Sequence, residues 1–201
     1  MEKRKVILVS GLLIFFVVLT ILVVLGVTKG FDDSVYSLVR SLESGFFDKY
    51  FLTVTKLGNE SVVIILAFII FLLVRRNDKL LVLLTCLFSV ISNQLIKHII
   101  MRDRPSVYRM IKQGGFSYPS GHSMIAVALY GILIYLVFKY IKNKYLKYGL
   151  SALLVLLILS IGISRIYVGV HFASDVVGGF SLAIAEIVLI VSFLEKKLRG
   201  N

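Results

Sequence analysis

The stretch Phe116-Ser-Tyr-Pro-Ser-Gly-His122 stands immediately before a long apolar run, and it can be read in two ways. Ser120 suits the N-cap of a helix, with Pro119 ahead of it and Gly121 allowing close backbone approach. As a cap the segment needs nothing more. Free N–H groups at a helix start, aided by the macrodipole, also make a socket for phosphate. His122 is superfluous to capping and can donate a proton to a bound oxyanion.

A second group of such residues lies between Ser164 and Asp175. Positions i and i+4 share a helix face, so Asp175 can accept a hydrogen bond from one ring nitrogen of His171. That fixes the tautomer and leaves the other nitrogen's lone pair free as a nucleophile. The same pair can equally do no more than fasten a helix end. Lys97, Arg102, Arg104, Arg109, Lys112 and Arg165 gather near the ends of the later apolar runs. Each alone reads as a snorkelling headgroup anchor; together they call for an anion. Two histidines and one carboxylate are a thin ligand set for a metal, and the nearby cations repel one. His98, beside Lys97, reads as an interface residue.

Positioning these groups falls to a membrane bundle. Of the 201 residues 58% are hydrophobic, and the mean hydropathy of +0.94 excludes an ordinary soluble domain. A bilayer core of about 30 Å takes about 20 apolar residues per helix. Such runs occupy Val6–Val27, Val62–Val74 with a backward extension, Leu80–Ile96, Met124–Phe138, Leu146–Ile163 and Phe172–Leu194. The expected fold is an all-α, polytopic bundle of about six transmembrane helices, a single domain over residues 1–201.

The chain carries 23 Lys and Arg against 11 Asp and Glu, but nucleic acid is not the reason. Alternating the spans puts four basic clusters on one side: Lys3 to Lys5; Arg75, Arg76 and Lys79; Lys139, Lys142, Lys144 and Lys147; Lys196, Lys197 and Arg199. The positive-inside rule makes that side the cytoplasm. Both termini are therefore expected inside and the two-histidine end outside. The N-terminal MEKRK with its apolar run resembles a signal peptide. That run, however, exceeds an h-region of about 7–15 residues and no small-residue cleavage site follows, so it reads as a retained first span. Cys86, the single cysteine, lies within an apolar run and reads as core filler.

Six residues separate Lys97 from Arg104-Pro105, Pro119-Ser120-Gly121-His122 follows, and Ser164-Arg165 precedes His171 by five intervening residues and Asp175 by three more. In type, order and spacing these resemble the three-part signature of the type 2 phosphatidic acid phosphatase superfamily, whose pocket is shared with vanadium haloperoxidases. The signature covers residues 97–175, and among membrane members the small bacterial phosphatidylglycerophosphatase B type is the most similar. The resemblance implies that His171 attacks phosphorus to form a phosphohistidine, that Asp175 orients it, and that His122 acts as acid and then base. It implies that Lys97, Arg104, Arg165, Ser120 and the Gly121 amide hold the phosphate oxygens. No metal and no organic cofactor is implied. His171 must start neutral and His122 protonated, so turnover is expected to follow a bell-shaped pH profile.

The expected reaction is hydrolysis of the terminal phosphate of a lipid phosphate or diphosphate drawn from the bilayer. Phosphatidylglycerophosphate and undecaprenyl diphosphate come first, with phosphatidic acid behind them. The rival reading is a non-catalytic lipid-phosphate carrier or sensor, for which a nucleophile would be superfluous. Phe31, Val35, Leu38, Val39, Leu42 and Phe46 recur at helical spacing after Asp32, Asp33 and Ser34. They predict an amphipathic helix over 31–47, lying in the interface or packed over the bundle. Glu186 falls about 16 Å deeper than Asp175 along a helix. An acid at that depth is a functional hypothesis by default; here it reads as a structural acid facing Asn93 or Gln94.

Overall fold

The apolar runs fold as helices because nothing within them breaks one: both prolines, Pro105 and Pro119, stand in a single loop. In lipid the backbone must satisfy its own polar groups, so each run stays helical until polar residues carry it out. The computed structural model describes residues 2–107 and 109–199. Lys197 and Arg199, from the last basic cluster, lie outside the described side chains.

Among the described residues, five helices are long and apolar enough to cross a bilayer: α1 (Lys3–Val24), α5 (Arg76–Ile100), α6 (Gly121–Tyr140), α7 (Lys144–Tyr167) and α8 (Ala173–Arg199). A bent pair of helices is the sixth candidate span. α3 (Gly45–Val54) runs through a 3-10 turn, Thr55–Gly58, into α4 (Glu60–Leu73), and the pair bends by 55°. The short run at Val62–Val74 thus does extend backward, but around a corner. The protein is an all-helical, multi-pass membrane bundle.

At its centre lies α6, packed on α5, α7 and α8, with Met124, Ala126, Leu129 and Ile132 fully enclosed. Ile14, Phe68, Leu73, Leu153 and Phe193 point outward instead, as lipid-facing side chains do. α7 and α8 approach closely because Gly162 has no side chain; a Cβ there would overlap Phe180 Cζ and lie 2.8 Å from Val176 Cγ1. The basic clusters collect at one end of the bundle. There Lys5 Nζ pairs with Glu195 (3.0 Å), joining α1 to α8, and Lys139 pairs with the buried Asp78 (2.6 Å), joining α6 to α5.

Two expectations need correction. The amphipathic helix, α2 (Lys29–Arg40), begins before Asp32, because Asp32 is buried and bonded elsewhere and so is not a cap. Phe31 and Leu38 are exposed and Val39 is buried, so the two-faced character holds. Phe46 belongs to α3, where Ser44 restarts the helix by accepting from Phe47 N–H (3.4 Å). Glu186 meets neither Asn93 nor Gln94; its Oε1 accepts from Ser92 Oγ at 2.6 Å. Successive helical residues lie about 100° apart. Ser92 therefore faces α8 while Asn93 turns to α6, donating to Pro119 O (3.0 Å).

Candidate active site

His171 owes its place to the turn between α7 and α8, where Gly169 has φ +75°, a conformation that favours glycine. The turn folds back so that the His171 N–H reaches Arg165 O at 3.2 Å. His171 Nδ1 then lies 3.2 Å from Asp175 Oδ2, the expected i,i+4 contact. Its Nε2 lies 3.1 Å from an Arg104 guanidinium nitrogen. A guanidinium only donates, so Nε2 is the acceptor and the ring proton sits on Nδ1, facing the carboxylate. Burial pulls His171 well below the ordinary imidazole range, and Arg165, Arg104 and Lys97 push the same way. Burial and these cations favour the neutral ring, whose Nε2 lone pair faces the Arg104 guanidinium at the cavity wall.

Asp175 is fully buried and fully used. Beyond His171 it accepts from Phe172 N–H (2.9 Å) and from Arg102 (2.7 Å). Across the site, His122 opens α6 and packs into the bend between α3 and α4. A Cβ on Gly58 would lie 3.0 Å from His122 Cδ2, so the corner of the broken span needs a glycine there. His122 Nε2 meets Asn59 Oδ1 at 2.8 Å. The amide oxygen only accepts, so Nε2 of His122 carries a proton.

Lys97 and Arg104 are held by the loop between α5 and α6. Lys97 Nζ donates to Phe116 O (2.5 Å) and Ser117 O (3.4 Å). Arg104 donates to Gly114 O (3.1 Å), Gly115 O (3.0 Å), Phe116 O (3.1 Å) and Val170 O (2.8 Å). Lys97, Arg104, Gly121, His122 and His171 line one cavity of about 320 Å³, together with Gln113, Gln94 and His98. His98, read from the sequence as an interface residue, is exposed at the end of α5 and also lines this cavity.

Three of the eight expected site residues stand behind that wall. Asp175 sits behind His171. Ser120 is fully buried; its Oγ accepts from Ser123 N–H (3.4 Å) and lies 2.9 Å from Ser123 Oγ, which leaves it the cap of α6. Arg165, with 0% of its surface exposed, donates to Thr55 Oγ1 (2.6 Å) and Gln113 Oε1 (3.0 Å). Its Nε has no partner among the described residues.

Sequence reasoning missed Asn59, Thr55 and Gln113, polar residues with no spacing to mark them. Arg102, read as one of several surface anchors, is instead an internal strut bonded to Asp175 and to Asp32 (2.8 Å).

A membrane bundle that holds a His–Asp pair, a second imidazole and buried cations around one cavity has the groups to hold a phosphate. Residues 78–199 match the family model described as PAP2 superfamily. The chain belongs to that superfamily and is a membrane lipid phosphatase. It is 31% identical over 194 residues to phosphatidylglycerophosphatase B of Bacillus subtilis (strain 168), covering 92% of this chain and 94% of the relative. Among solved structures, it is similar to the crystal structure of a transmembrane PAP2-type phosphatidylglycerolphosphate phosphatase from Bacillus subtilis. That match has a TM-score of 0.83 and 28% identity, covering 94% of this chain and 96% of the other. The crystal structure of Aquifex aeolicus LpxE shares the fold, with a TM-score of 0.66 at 22% identity, covering 81% and 95%.

Proposed function

We propose that the protein removes the terminal phosphate from phosphatidylglycerophosphate, with undecaprenyl diphosphate as the alternative substrate, at the extracytoplasmic face and through a phosphohistidine. One observation carries the lipid reading: the polar cavity and an apolar groove are neighbours that share wall residues. Glu60, Val90 and Ile125 line both. The groove, about 490 Å³, runs between α4 and α5 past Ile64, Phe68, Val82 and Leu87. A phosphate in the cavity leaves its acyl chain beside the lipid-facing helices, in an environment as apolar as the bilayer. The Bacillus subtilis relatives named for phosphatidylglycerophosphate support that substrate over the others.

In the proposed chemistry, the Nε2 lone pair of His171 forms a bond to phosphorus. The bond from phosphorus to the leaving oxygen breaks with its electron pair, and His122 supplies the proton that this oxygen takes up. The phosphohistidine ring carries positive charge, which Asp175 stabilises through Nδ1–H. Water then attacks phosphorus, His122 takes a proton from it, and the P–N bond breaks to free phosphate and restore His171. Lys97, Arg104 and Arg165 supply the charge that balances the phosphoryl oxygens, the part a divalent metal plays in other phosphatases. The basic end of the bundle supports cytoplasmic termini and, with them, an extracytoplasmic cavity.

Phosphate release from phosphatidylglycerophosphate, undecaprenyl diphosphate and phosphatidic acid by the protein in detergent, with chelator present, tests this directly. Highest catalytic efficiency on phosphatidylglycerophosphate is expected. Release that stops with chelator overturns metal independence, and binding without release from any of them returns the carrier reading.

A further inference from the structure

Asp32 lies on α2, far in sequence from the signature residues and outside them all, yet it is only 2% exposed and accepts three bonds, two from Ser174 at the start of α8 and one from Arg102 in the loop after α5. Its Oδ1 accepts from Ser174 N–H (2.8 Å). Its Oδ2 accepts from Ser174 Oγ (2.8 Å) and from Arg102 (2.8 Å). The other arm of Arg102 donates to Asp175 Oδ1 (2.7 Å) and to Ser174 Oγ (2.8 Å), and the guanidinium lies over the Phe172 ring, 3.9 Å from its centroid. One guanidinium thus bridges two buried carboxylates, and only one of them touches His171.

We infer that Asp32 is a positioning residue for the phosphatase reaction, acting through Arg102 on the Asp175–His171 pair. The inference rests on the reading of His171 as nucleophile. The reason is charge. Asp175 helps His171 only as far as its negative charge is free to act on the imidazole. A guanidinium paired with Asp175 alone would cancel most of that charge; shared with Asp32, it fixes the carboxylate in place and cancels less. Asp32 therefore supplies a second anion that lets Arg102 orient Asp175 without quenching it. It also ties the seating of α2, a two-faced helix at this end of the bundle, to the nucleophile.

The groups facing the pair from every packed element are Lys97 from α5, Arg102, Arg104 and Tyr118 from the following loop, His122 from α6, Arg165 from α7 and Asp32 from α2. The cations among them outnumber the acids, so loss of one anion bears directly on the imidazolium.

Asp32→Asn keeps the shape and two of the acceptor contacts but removes the charge. With protein in detergent and phosphatidylglycerophosphate as substrate, kcat is expected to fall by about tenfold with KM nearly unchanged. The acid limb of kcat/KM is expected to move to lower pH by about half a unit to one unit, because the imidazolium is less favoured. Arg102→Gln is expected to move that limb the other way, and the double variant to show no further effect of Asp32→Asn. A folded Asp32→Asn protein with an unmoved acid limb overturns the inference, whether or not kcat falls, since a purely structural part would lower the active fraction only. If Asp32→Asn does not fold, the direction of the shift in Arg102→Gln decides alone, and a shift to lower pH overturns the relay. Turnover by His171→Ala is the separate control for the nucleophile: its survival would remove the underlying reading, while its loss leaves the acid-limb shift in Asp32→Asn to decide the relay.

Discussion

Lys97 and Arg104 donate to the same oxygen, the carbonyl of Phe116, at 2.5 and 3.1 Å. Gln113, three residues earlier, offers its Oε1 to Arg165 at 3.0 Å. The segment 113–116 therefore presents oxygen acceptors to all three cations proposed to hold the phosphate. Under the proposed function, a phosphoryl group entering the cavity would compete with these oxygens for the same N–H groups, those of Arg165 being reached only where Gln113, a cavity wall residue, gives way. Neutral amide and carbonyl acceptors are weaker partners for a guanidinium than an anionic oxygen, so phosphate wins by charge.

Gln113→Glu removes that advantage at Arg165. The new carboxylate holds the guanidinium as a charge-assisted pair and adds a negative charge to an anion site. KM for the lipid phosphate is expected to rise by about tenfold or more, kcat to fall less, and inhibition by inorganic phosphate to weaken in step with KM. Steady-state kinetics with added phosphate measure both. Unchanged KM with unchanged phosphate inhibition would show that Gln113 and Arg165 do not meet the phosphoryl group.

The pH dependence follows from the state of His171. Its imidazole is held well below the ordinary range, by burial first and then by Arg165, Arg104 and Lys97. A nucleophile must be unprotonated, so lowering that value keeps His171 competent at more acidic pH. The acid limb of kcat/KM is therefore expected below about 6.5, the unperturbed imidazole value. Rate profiles between about pH 4 and 9 read it. An acid limb well above that value would mean the attacking group is not this buried ring.

Much of this site was legible because its residues obey fixed local spacings. His171 and Asp175, four residues apart, meet across the start of α8, and Ser120 caps α6 by the rule that places small polar residues at helix starts. The spans were legible from apolar length alone. What could not be read was contact between distant elements. Nothing in the sequence around Asp32 distinguishes a buried strut from an ordinary first-turn acid, and Arg102 looks like its neighbours Arg104 and Arg109. The 55° bend was equally hidden, because the polar stretch Lys56–Ser61 marks where the apolar run pauses but not the direction the chain takes there. The corner nevertheless brings Asn59 to His122 and Thr55 to Arg165.

Gly162 gives a test of the scaffold at a residue that does not line the cavity. Its α-carbon faces α8, and an added Cβ would overlap Phe180 Cζ and sit 2.8 Å from Val176 Cγ1. The phenyl ring can shift only by forcing α7 and α8 apart in a packed core. Gly162→Ala is expected to cost about 1–3 kcal/mol, seen as a lower unfolding temperature in detergent. The His171 turn joins these two helices, so kcat should fall with stability. A variant as stable as the parent would mean the two helices are not in contact at this level.

Glu186 offers the cleanest separation of structure from catalysis. Its Oε1 accepts from Ser92 Oγ at 2.6 Å between α5 and α8, and its Oε2 has no partner among the described residues. A buried acid with a single hydroxyl partner is a poor proton carrier unless a chain of donors leads from it to the reacting atoms. The other contact of Ser92 Oγ is the Ser89 carbonyl at 3.2 Å, which has no proton to pass on. Glu186→Gln keeps an oxygen for Ser92 while removing the exchangeable charge. Turnover is expected within about twofold of the parent with the pH profile unmoved, and stability equal or higher because a neutral amide is cheaper to bury than a carboxylate. Ser92→Ala does the reverse, leaving a carboxyl without its donor, and is expected to destabilise by about 1–3 kcal/mol. If instead Glu186→Gln remained folded and lost kcat by tenfold or more, the acid would belong to a proton path that reaches the His122–His171 cavity from inside the bundle.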